Sequence, residues 1–277
     1  MNIKAKNKIH YDNIYTNVNV DRIVENILDF DNFFEDLITY HTSWVGFYKN
    51  NFKNYVKNKK VLELGCGDCT NSAILTKLGA EVYANDISSV SGKIIETLNK
   101  RLNFHKNITF IKGDFLNTDI ELNKFDLVIG KAFVHHLTHH EEELFLKKII
   151  KVLKPEGMVR YLEPCVNSKV LDEIRWLIPV PGRPSKLQTN KFKIWKKNDP
   201  HPDRDNSSNS YRAFGRKYFK ECHISYVGSL VRFERLIPSG KFRSFFKKYA
   251  FILEKYIPNL IDSKVARSQI IDYKFPV

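Results

Sequence analysis

The sequence predicts an α/β fold built on a doubly wound, mostly parallel sheet. Apolar segments of strand length alternate with segments of helical periodicity between residues 60 and 164. One of them, FDLVIGKA at 125–132, is apolar on both faces, which is typical of a buried parallel strand. Strands that alternate with helices indicate a sheet covered on both sides. We therefore divide the chain into an N-terminal part, 1–57, and an α/β domain, 58–277.

The N-terminal part is predicted to be a helical cap. Residues 1–10 are polar and basic, and we expect them to be mobile. Residues 20–57 carry apolar side chains at helical spacing: Ile23, Ile27, Leu28, Phe33, Phe34, Leu37 and Ile38.

The strands of the α/β domain follow in order. Five are predicted at 60–65, 80–86, 108–114, 125–132 and 158–164. Thr138 and Glu141 form a capping box that starts the helix before the fifth strand. Residues 165–221 are rich in Pro, Lys, Arg and aromatic residues and show little periodicity. Beyond them we predict an antiparallel strand at 223–236, a helical stretch at 238–262 and a last strand at 268–275.

The amino-acid composition limits which binding partners and which cellular compartment are expected for the protein. The formal net charge is +14. Such an excess favours an anionic partner, such as nucleic acid, a membrane surface or an acidic small molecule. The alternative is that the charge serves only solubility. Four cysteines are too few for a disulfide scaffold, so a reducing, cytoplasmic location is expected. The N-terminus lacks the apolar core of a secretory signal, and no run reaches the ~20 apolar residues of a membrane span.

The loop after the first strand, in VLELGCGDCTNS at 61–72, excludes a dinucleotide site. That fingerprint needs three glycines, but Thr70 follows Gly65 and Gly67 where the third would stand. Glu63, just before the loop, would repel a pyrophosphate. The same carboxylate suits a ligand with a cationic end.

S-adenosylmethionine is a ligand of that kind, because it carries a sulfonium and an ammonium but no phosphate. Asp86 ends the second strand, where a carboxylate can accept hydrogen bonds from ribose hydroxyls. Asp114 ends the third strand, where it can accept from the adenine amino group, and Phe115 offers an apolar face. All of these acids stand at the carboxyl ends of parallel strands, where open α/β sheets bind ligands.

The segments VLELGCGDC, VYANDIS, IKGDF, FDLVIGKAFVHHL and LKPEGMVRYLEP resemble the successive motifs of class I S-adenosylmethionine-dependent methyltransferases, in particular the small-molecule branch. The resemblance implies seven strands in the order 3-2-1-4-5-7-6. It also implies that Glu63, Gly65 and Gly67 hold the methionine portion, Asp86 the ribose, and Asp114 and Phe115 the adenine. We place three further residues in the cofactor site: Cys66, Ile87 and Lys131. The chain departs from the family at Cys69, where glycine is common, and at Lys131, where a small neutral residue is usual.

Histidines after the fourth strand are the candidate catalytic residues. His135 and His136 follow that strand, and either could be a base or orient the acceptor, or the pair could pack under the cofactor. His139 and His140 are expected to be solvated, and no metal site is predicted because adjacent residues on a helix point apart. The C-x-x-C pattern of Cys66 and Cys69 lies inside the cofactor loop, and we interpret it as a coincidence.

The insertion at 165–221 is predicted to bind the acceptor. Residues 175–220 hold twelve Lys or Arg residues, three Asp and no Glu, interleaved with aromatic residues. Arg212, Arg216 and Lys217 suggest an acceptor with an anionic group and an apolar or aromatic body. The resemblance implies that Tyr11 and Tyr15 fold over the cofactor and contact the acceptor; the alternative is that they only pack within the cap.

The function predicted first is methyl transfer to such a small molecule, for example a natural-product, lipid-linked or sugar-linked intermediate. An RNA methyltransferase is the alternative, since basic and aromatic residues suit phosphates and stacked bases. No RNA-binding module and no N/D-P-P-Y-type tetrapeptide supports it. A third hypothesis is a non-catalytic cofactor-binding subunit. The presence of all three predicted cofactor carboxylates argues against it. The stretch 237–265 is predicted to be a helical lid, with peripheral membrane contact as its alternative.

Overall fold

The sheet has the predicted order, β3-β2-β1-β4-β5-β7-β6. The computed structural model describes residues 3–180, 182–199, 201–238 and 240–277, without the side chains of 3–6 and 235. The strands are β1 (Lys60–Leu64), β2 (Glu81–Asp86), β3 (Thr109–Lys112), β4 (Phe125–Lys131), β5 (Leu153–Pro164), β6 (Phe219–Val227) and β7 (Ser268–Pro276). The first five are parallel, and β7 is antiparallel to both β5 and β6. The predicted fold class is confirmed.

Helices cover both faces of this sheet. They are α1 (Ile3–Thr16), α2 (Val20–Leu28), α3 (Phe30–Tyr40), α4 (Thr42–Phe47), α5 (Phe52–Tyr55), α6 (Thr70–Lys77), α7 (Ser89–Arg101), α8 (His139–Val152), α9 (Lys169–Leu177), α10 (Thr189–Asn198), α11 (Ser208–Tyr218), α12 (Lys241–Glu254) and α13 (Asn259–Val265). Within the described residues, none is long and apolar enough to cross a lipid bilayer.

Two hydrophobic cores follow from the alternation of side chains along the strands. Val61 of β1 points to the core that holds α2, α3, α6 and α7, whereas Leu62 and Leu64 point to the core that holds α8 and α11. Side chains alternate along a strand, so consecutive residues lie on opposite faces of the sheet. The loops at the carboxyl ends of the strands are left to form a site.

The N-terminus differs from the prediction. Residues 3–10 belong to α1, although no helix was predicted there; residues 1–2 lie outside the described part, and the expected mobility stays a prediction. The helix packs against α7, and the hydroxyl of Ser88 donates to the carboxylate of Asp12. This tertiary contact holds a segment whose sequence alone has little apolar content.

The region after β5 also holds more structure than its pattern indicates. Three helices, α9 to α11, lie in the predicted insertion, and β6 starts at Phe219, before the predicted 223. That strand ends at Val227 because Gly228 adopts a positive φ of 84° and the chain turns into a 3₁₀ helix at Val231–Leu236. Glu254 of α12 fixes this turn by accepting hydrogen bonds from three backbone N–H groups, those of Gly228, Leu230 and Val231.

Candidate active site

A cavity of about 470 Å³ opens at the carboxyl ends of the parallel strands, beneath α1. All nine predicted cofactor residues lie in its wall: Glu63, Gly65, Cys66, Gly67, Asp86, Ile87, Asp114, Phe115 and Lys131. Among the residues whose side chains are described, five carboxyl groups and one lysine line it: Glu63, Asp68, Asp86, Asp114, Glu141 and Lys131. The cavity therefore favours a cationic ligand.

The glycine loop needs its glycines for backbone shape and for space. Gly65 and Gly67 have φ values of 64° and 59°, in the left-handed region. A Cβ on Gly65 would collide with the ring of Phe133, and one on Gly67 would lie 3.1 Å from the Tyr15 hydroxyl. Cys69 also has a left-handed φ, 62°, which explains why glycine suits this position in the family that the sequence resembles.

Glu63 is buried at the end of β1 and held by α6. Its carboxylate accepts hydrogen bonds from the Asn71 side-chain amide at 2.7 Å and from the Ser72 hydroxyl. Burial raises the pKa of Glu63 to about 7, and those two hydrogen bonds and Lys131 oppose the rise. The Lys131 ammonium lies 4.1 Å from the centre of the Trp44 ring. Burial lowers the pKa of this lysine, and nearby acids oppose the change.

Asp86 joins the glycine loop to the start of the next helix. Its carboxylate accepts hydrogen bonds from the backbone N–H groups of Gly67 at 2.9 Å and Ser88 at 2.8 Å. Burial raises its pKa, and these two hydrogen bonds oppose the rise. Asp114 caps the 3₁₀ turn Phe115–Asn117 by accepting from the backbone of Leu116. Both acids are thus set at the cavity edge by backbone contacts.

Tyr11 and His136 meet on the wall formed by α1 and the segment after β4. The Tyr11 hydroxyl lies 3.2 Å from Nε2 of His136, and the Tyr11 ring stacks on Tyr15 with centroids 5.5 Å apart. Burial, with His135, His201 and His10 nearby, lowers the pKa of His136 to about 2. Burial also raises the pKa of Tyr11 to about 12, with Asp199 and Asp86 adding to the effect. Both groups are therefore neutral near pH 7.

His135 lies behind this wall and does not line the cavity. Its Nδ1 is 2.6 Å from the carboxylate of Glu163, which is fully buried at the end of β5. The same carboxylate accepts from the backbone N–H groups of residues 133, 134 and 135. Glu163 therefore fixes the 3₁₀ turn Val134–His136 that presents His136. Glu163 was not predicted as a site residue, although an acid at the end of a fifth strand follows the pattern of the other three.

Arg204 of the insertion also supports this turn. It donates to the carbonyl oxygens of Val134 at 2.8 Å and Leu137 at 2.9 Å, and it pairs with the Glu142 carboxylate at 2.6 Å. Both side chains are almost fully buried. No sequence signal separates Arg204 from the eleven other basic residues of 175–220.

The basic residues predicted to bind the acceptor lie elsewhere. Arg212, Arg216 and Lys217 are on α11 and do not line the cavity. Arg212 donates to the side chain of Asn209 in its own helix, and the Lys217 ammonium lies 5.1 Å from the centre of the Phe214 ring. The predicted lid at 237–265 likewise supplies none of the described lining residues, and α12 packs on α3. Instead α1 covers the cavity, with Tyr11, Ile14 and Tyr15 in the wall.

Known proteins resemble this chain in sequence. Residues 61–157 match the family described as methyltransferase domain. A phosphoethanolamine N-methyltransferase of Plasmodium falciparum is 29% identical over 114 residues, 41% of this chain and 42% of that protein. The chain spans less than half the length of the curated relatives it matches.

Solved structures share the fold. A S-adenosylmethionine-dependent methyltransferase of Archaeoglobus fulgidus matches 82% of this chain and 90% of its own, with a TM-score of 0.51 and 15% identity. Phosphoethanolamine N-methyltransferase 2 of Haemonchus contortus, in complex with phosphomonomethylethanolamine and S-adenosylhomocysteine, matches 92% of this chain and 60% of its own, with a TM-score of 0.51 and 13% identity.

The fold, the acid-lined cavity and the family match define a class. Residues 61–157 match a methyltransferase domain, and the strand order is the one expected from the resemblance to class I S-adenosylmethionine-dependent methyltransferases. S-adenosylmethionine is the cofactor of this class.

Proposed function

We propose that the protein transfers a methyl group from S-adenosylmethionine to a nitrogen of a small acceptor that also carries an anionic group. The observation that carries the proposal is the contact between Tyr11 and His136 in the wall of the acid-lined cavity. This pair could hydrogen-bond to the acceptor nitrogen, and it lies in the same wall as the carboxylates that suit the cofactor.

The cofactor would lie along the strand ends. Glu63 would attract the cationic methionine end, Asp86 would accept from the ribose hydroxyls, and Asp114 with Phe115 would contact the adenine. The residues present fit this ligand because a cofactor along the strand ends would offer each carboxylate a positive charge or a hydrogen-bond donor. Cys66, Gly67 and Ile87 would supply backbone contacts.

The reaction is an in-line displacement, and positioning is its main requirement. The lone pair of the acceptor nitrogen forms a bond to the methyl carbon while the carbon–sulfur bond breaks and leaves S-adenosylhomocysteine. The proton lost from nitrogen passes to solvent. His136 is neutral, so its Nε2 can accept a hydrogen bond and orient Tyr11 or the acceptor; its lowered pKa argues against it holding the proton.

The size of the cavity and the lysine in its described wall support a small anionic acceptor. About 470 Å³ lies in the range of small-molecule sites. Lys131 is the one lysine among the described lining residues, and it would pair with the anionic group. The relatives named phosphoethanolamine N-methyltransferases support this class of acceptor. RNA is less favoured, because Trp176, Phe192 and Trp195 of the insertion pack against one another.

The test combines cofactor binding with turnover. S-adenosylhomocysteine binding is measured by calorimetry, and transfer of labelled methyl groups is measured on phosphoethanolamine, ethanolamine, a catechol and bulk tRNA. We expect binding, and turnover of phosphoethanolamine well above ethanolamine. Preferred methylation of the catechol or tRNA would overturn the proposed acceptor, and binding without turnover of any acceptor would favour the non-catalytic reading.

A further inference from the structure

We propose that His135, His136 and His201 form a binding site for a first-row divalent metal ion such as Zn²⁺. One ring nitrogen of each residue lies within 4.8 Å of the others. The three rings are close together, with centroids 4.2 to 5.2 Å apart. The site departs from our sequence-based expectation of no metal, because the third histidine comes from the insertion and not from the helix after β4.

Two of the histidines are already oriented as metal ligands commonly are. Nδ1 of His135 lies 2.6 Å from Glu163, and Nδ1 of His201 lies 2.5 Å from Asp199. A carboxylate that accepts from one ring nitrogen fixes the tautomer and leaves the lone pair of the other nitrogen available. Nε2 is therefore the ligating nitrogen of both residues.

The third histidine has an unsatisfied nitrogen. Nδ1 of His136 is buried and has no hydrogen-bond partner among the described residues, whereas its Nε2 contacts Tyr11. A buried polar atom without a partner is costly, so a ligand for it is expected. A metal ion would provide that partner.

The donor set indicates the kind of ion. Three neutral imidazoles suit Zn²⁺, Co²⁺, Ni²⁺ or Cu²⁺ and disfavour Mg²⁺ and Ca²⁺, which prefer oxygen. At Zn–N distances of about 2.0–2.1 Å, tetrahedral ligand nitrogens stand roughly 3.3 Å apart. The ligand nitrogens, now within 4.8 Å of one another, would move closer by up to about 1.5 Å, and His201 is the exposed member of the three.

The ion would also change the role of His136. A metal on Nδ1 leaves the proton on Nε2, so His136 would donate to Tyr11 and could no longer accept from it. Metal binding and the orienting role of His136 exclude each other. This consequence, unlike the site itself, rests on the proposed function, and it predicts inhibition by the metal that a chelator reverses.

The experiment is titration of the untagged, chelator-treated full chain with Co²⁺ and Zn²⁺. We expect one ion per chain by calorimetry and elemental analysis, with a Co²⁺ spectrum that lacks a thiolate charge-transfer band. His201→Ala should weaken binding at least tenfold. His140→Ala is the matched control, because it removes an exposed histidine of α8 outside the cluster, and it should leave binding unchanged.

Several results would overturn the site. These are no saturable binding, equal binding by the His201→Ala variant, or a thiolate band that Cys66→Ser removes, which would assign the ion to the C-x-x-C pair. Because His201 is exposed, loss of folding is not expected in its variant, and circular dichroism checks this. Failure of metal binding leaves the proposed methyl transfer untouched.

A different surface carries a second proposal: we infer that α12 and α13 dock on an anionic lipid surface. Large apolar side chains are exposed there at helical spacing: Phe242, Phe245, Tyr249, Leu253, Tyr256, Leu260 and Ile261. A series of large exposed apolar side chains of this kind marks an interaction site. These helices supply no described residue to the cavity wall, so closure of the cavity does not explain the surface.

Charge identifies the partner. The two acids of this segment bond to the body of the protein: Glu254 accepts from the turn after β6, and Asp262 is buried and accepts from Ser229. Exposed lysines flank the apolar face: Lys241, Lys248 and Lys255. The outer surface is therefore apolar and cationic, as an interfacial helix on anionic lipid requires.

Co-sedimentation with vesicles tests this surface. We expect the intact chain to bind vesicles containing about 30% phosphatidylserine at low salt, and to bind less to neutral vesicles and at high salt. Phe242→Ser with Tyr256→Ser should reduce binding at least fivefold, whereas Leu187→Ser, at an exposed site of the insertion, should not. Equal binding by the double variant, no binding at low salt, or a dimer that depends on Phe242 would overturn the proposal.

Discussion

The hydroxyl of Tyr11 lies 3.2 Å from Nε2 of His136, although 125 residues separate the two in the chain. Tyr11 belongs to α1, which covers the cavity, and His136 belongs to the turn after β4. The contact thus joins the N-terminal cap to the sheet at the point where the acceptor would enter. It makes the cap part of the site.

Removing either partner should slow methyl transfer more than it weakens cofactor binding. We expect Tyr11→Phe and His136→Ala to lower kcat by about 100-fold, the size of effect that loss of nucleophile positioning can have. The Kd for S-adenosylhomocysteine, measured by calorimetry, should change less than threefold. His140→Ala is the control, and unchanged kcat in both variants would remove the pair from the mechanism.

The parts of the site that are local in sequence could be predicted, and the parts built by tertiary contact could not. Glu63, Asp86 and Asp114 each follow a recognisable strand, so their meeting at one sheet edge follows from parallel topology. Arg204 lies in a segment without periodicity, where only its burial against Glu142 distinguishes it. His201 likewise joins His136 only through the path of the insertion.

The same reason explains the fold predictions that were wrong. Residues 3–10 lack an apolar stripe, but they belong to α1, a helix that packs on α7. The strand predicted to reach 236 stops at Val227, because Glu254, distant in sequence, binds the backbone of the turn that follows. Local patterns do not contain such long-range contacts.

Asp86 offers a direct test of the cofactor position. Its carboxylate already accepts from the N–H groups of Gly67 and Ser88, and the ribose hydroxyls would be its remaining donors. Asp86→Asn should weaken S-adenosylhomocysteine binding by about 1–3 kcal/mol, the cost of unpaired buried polar groups. Calorimetry measures the change, with exposed Asp119→Asn as the control. An unaltered Kd would place the ribose elsewhere.

The affinity for S-adenosylmethionine should depend on pH through Glu63. Burial raises the pKa of this carboxyl to about 7, so in the free protein it becomes protonated as the pH falls through neutrality. The cationic cofactor favours the ionised form, so affinity should rise between about pH 6 and pH 8, by at most about tenfold per pH unit.

Two charged neighbours act on the same group. Lys131 favours the ionised form of Glu63 and Asp68 opposes it, and both line the cavity. Glu63→Gln should bind the cofactor more weakly at pH 8 and lose most of the pH dependence. A wild-type Kd that is constant over this range would show that Glu63 does not interact with the cationic end.

Arg204 should matter for stability where Arg212 does not. Arg204→Ala would leave the Glu142 carboxyl buried without its partner and would free two carbonyl oxygens of the turn that carries His136. Breaking a buried pair in this way costs about 3–5 kcal/mol. Arg212→Ala, whose guanidinium contacts only Asn209 among the hydrogen bonds of the described residues, should change stability by less than about 0.5 kcal/mol. Urea unfolding followed by circular dichroism compares the two.

Two outcomes would contradict these assignments. Equal stability of both variants would contradict the role that we assign to Arg204. If Arg212→Ala instead raised the KM for the acceptor, α11 would have to reach the acceptor through a rearrangement of the insertion.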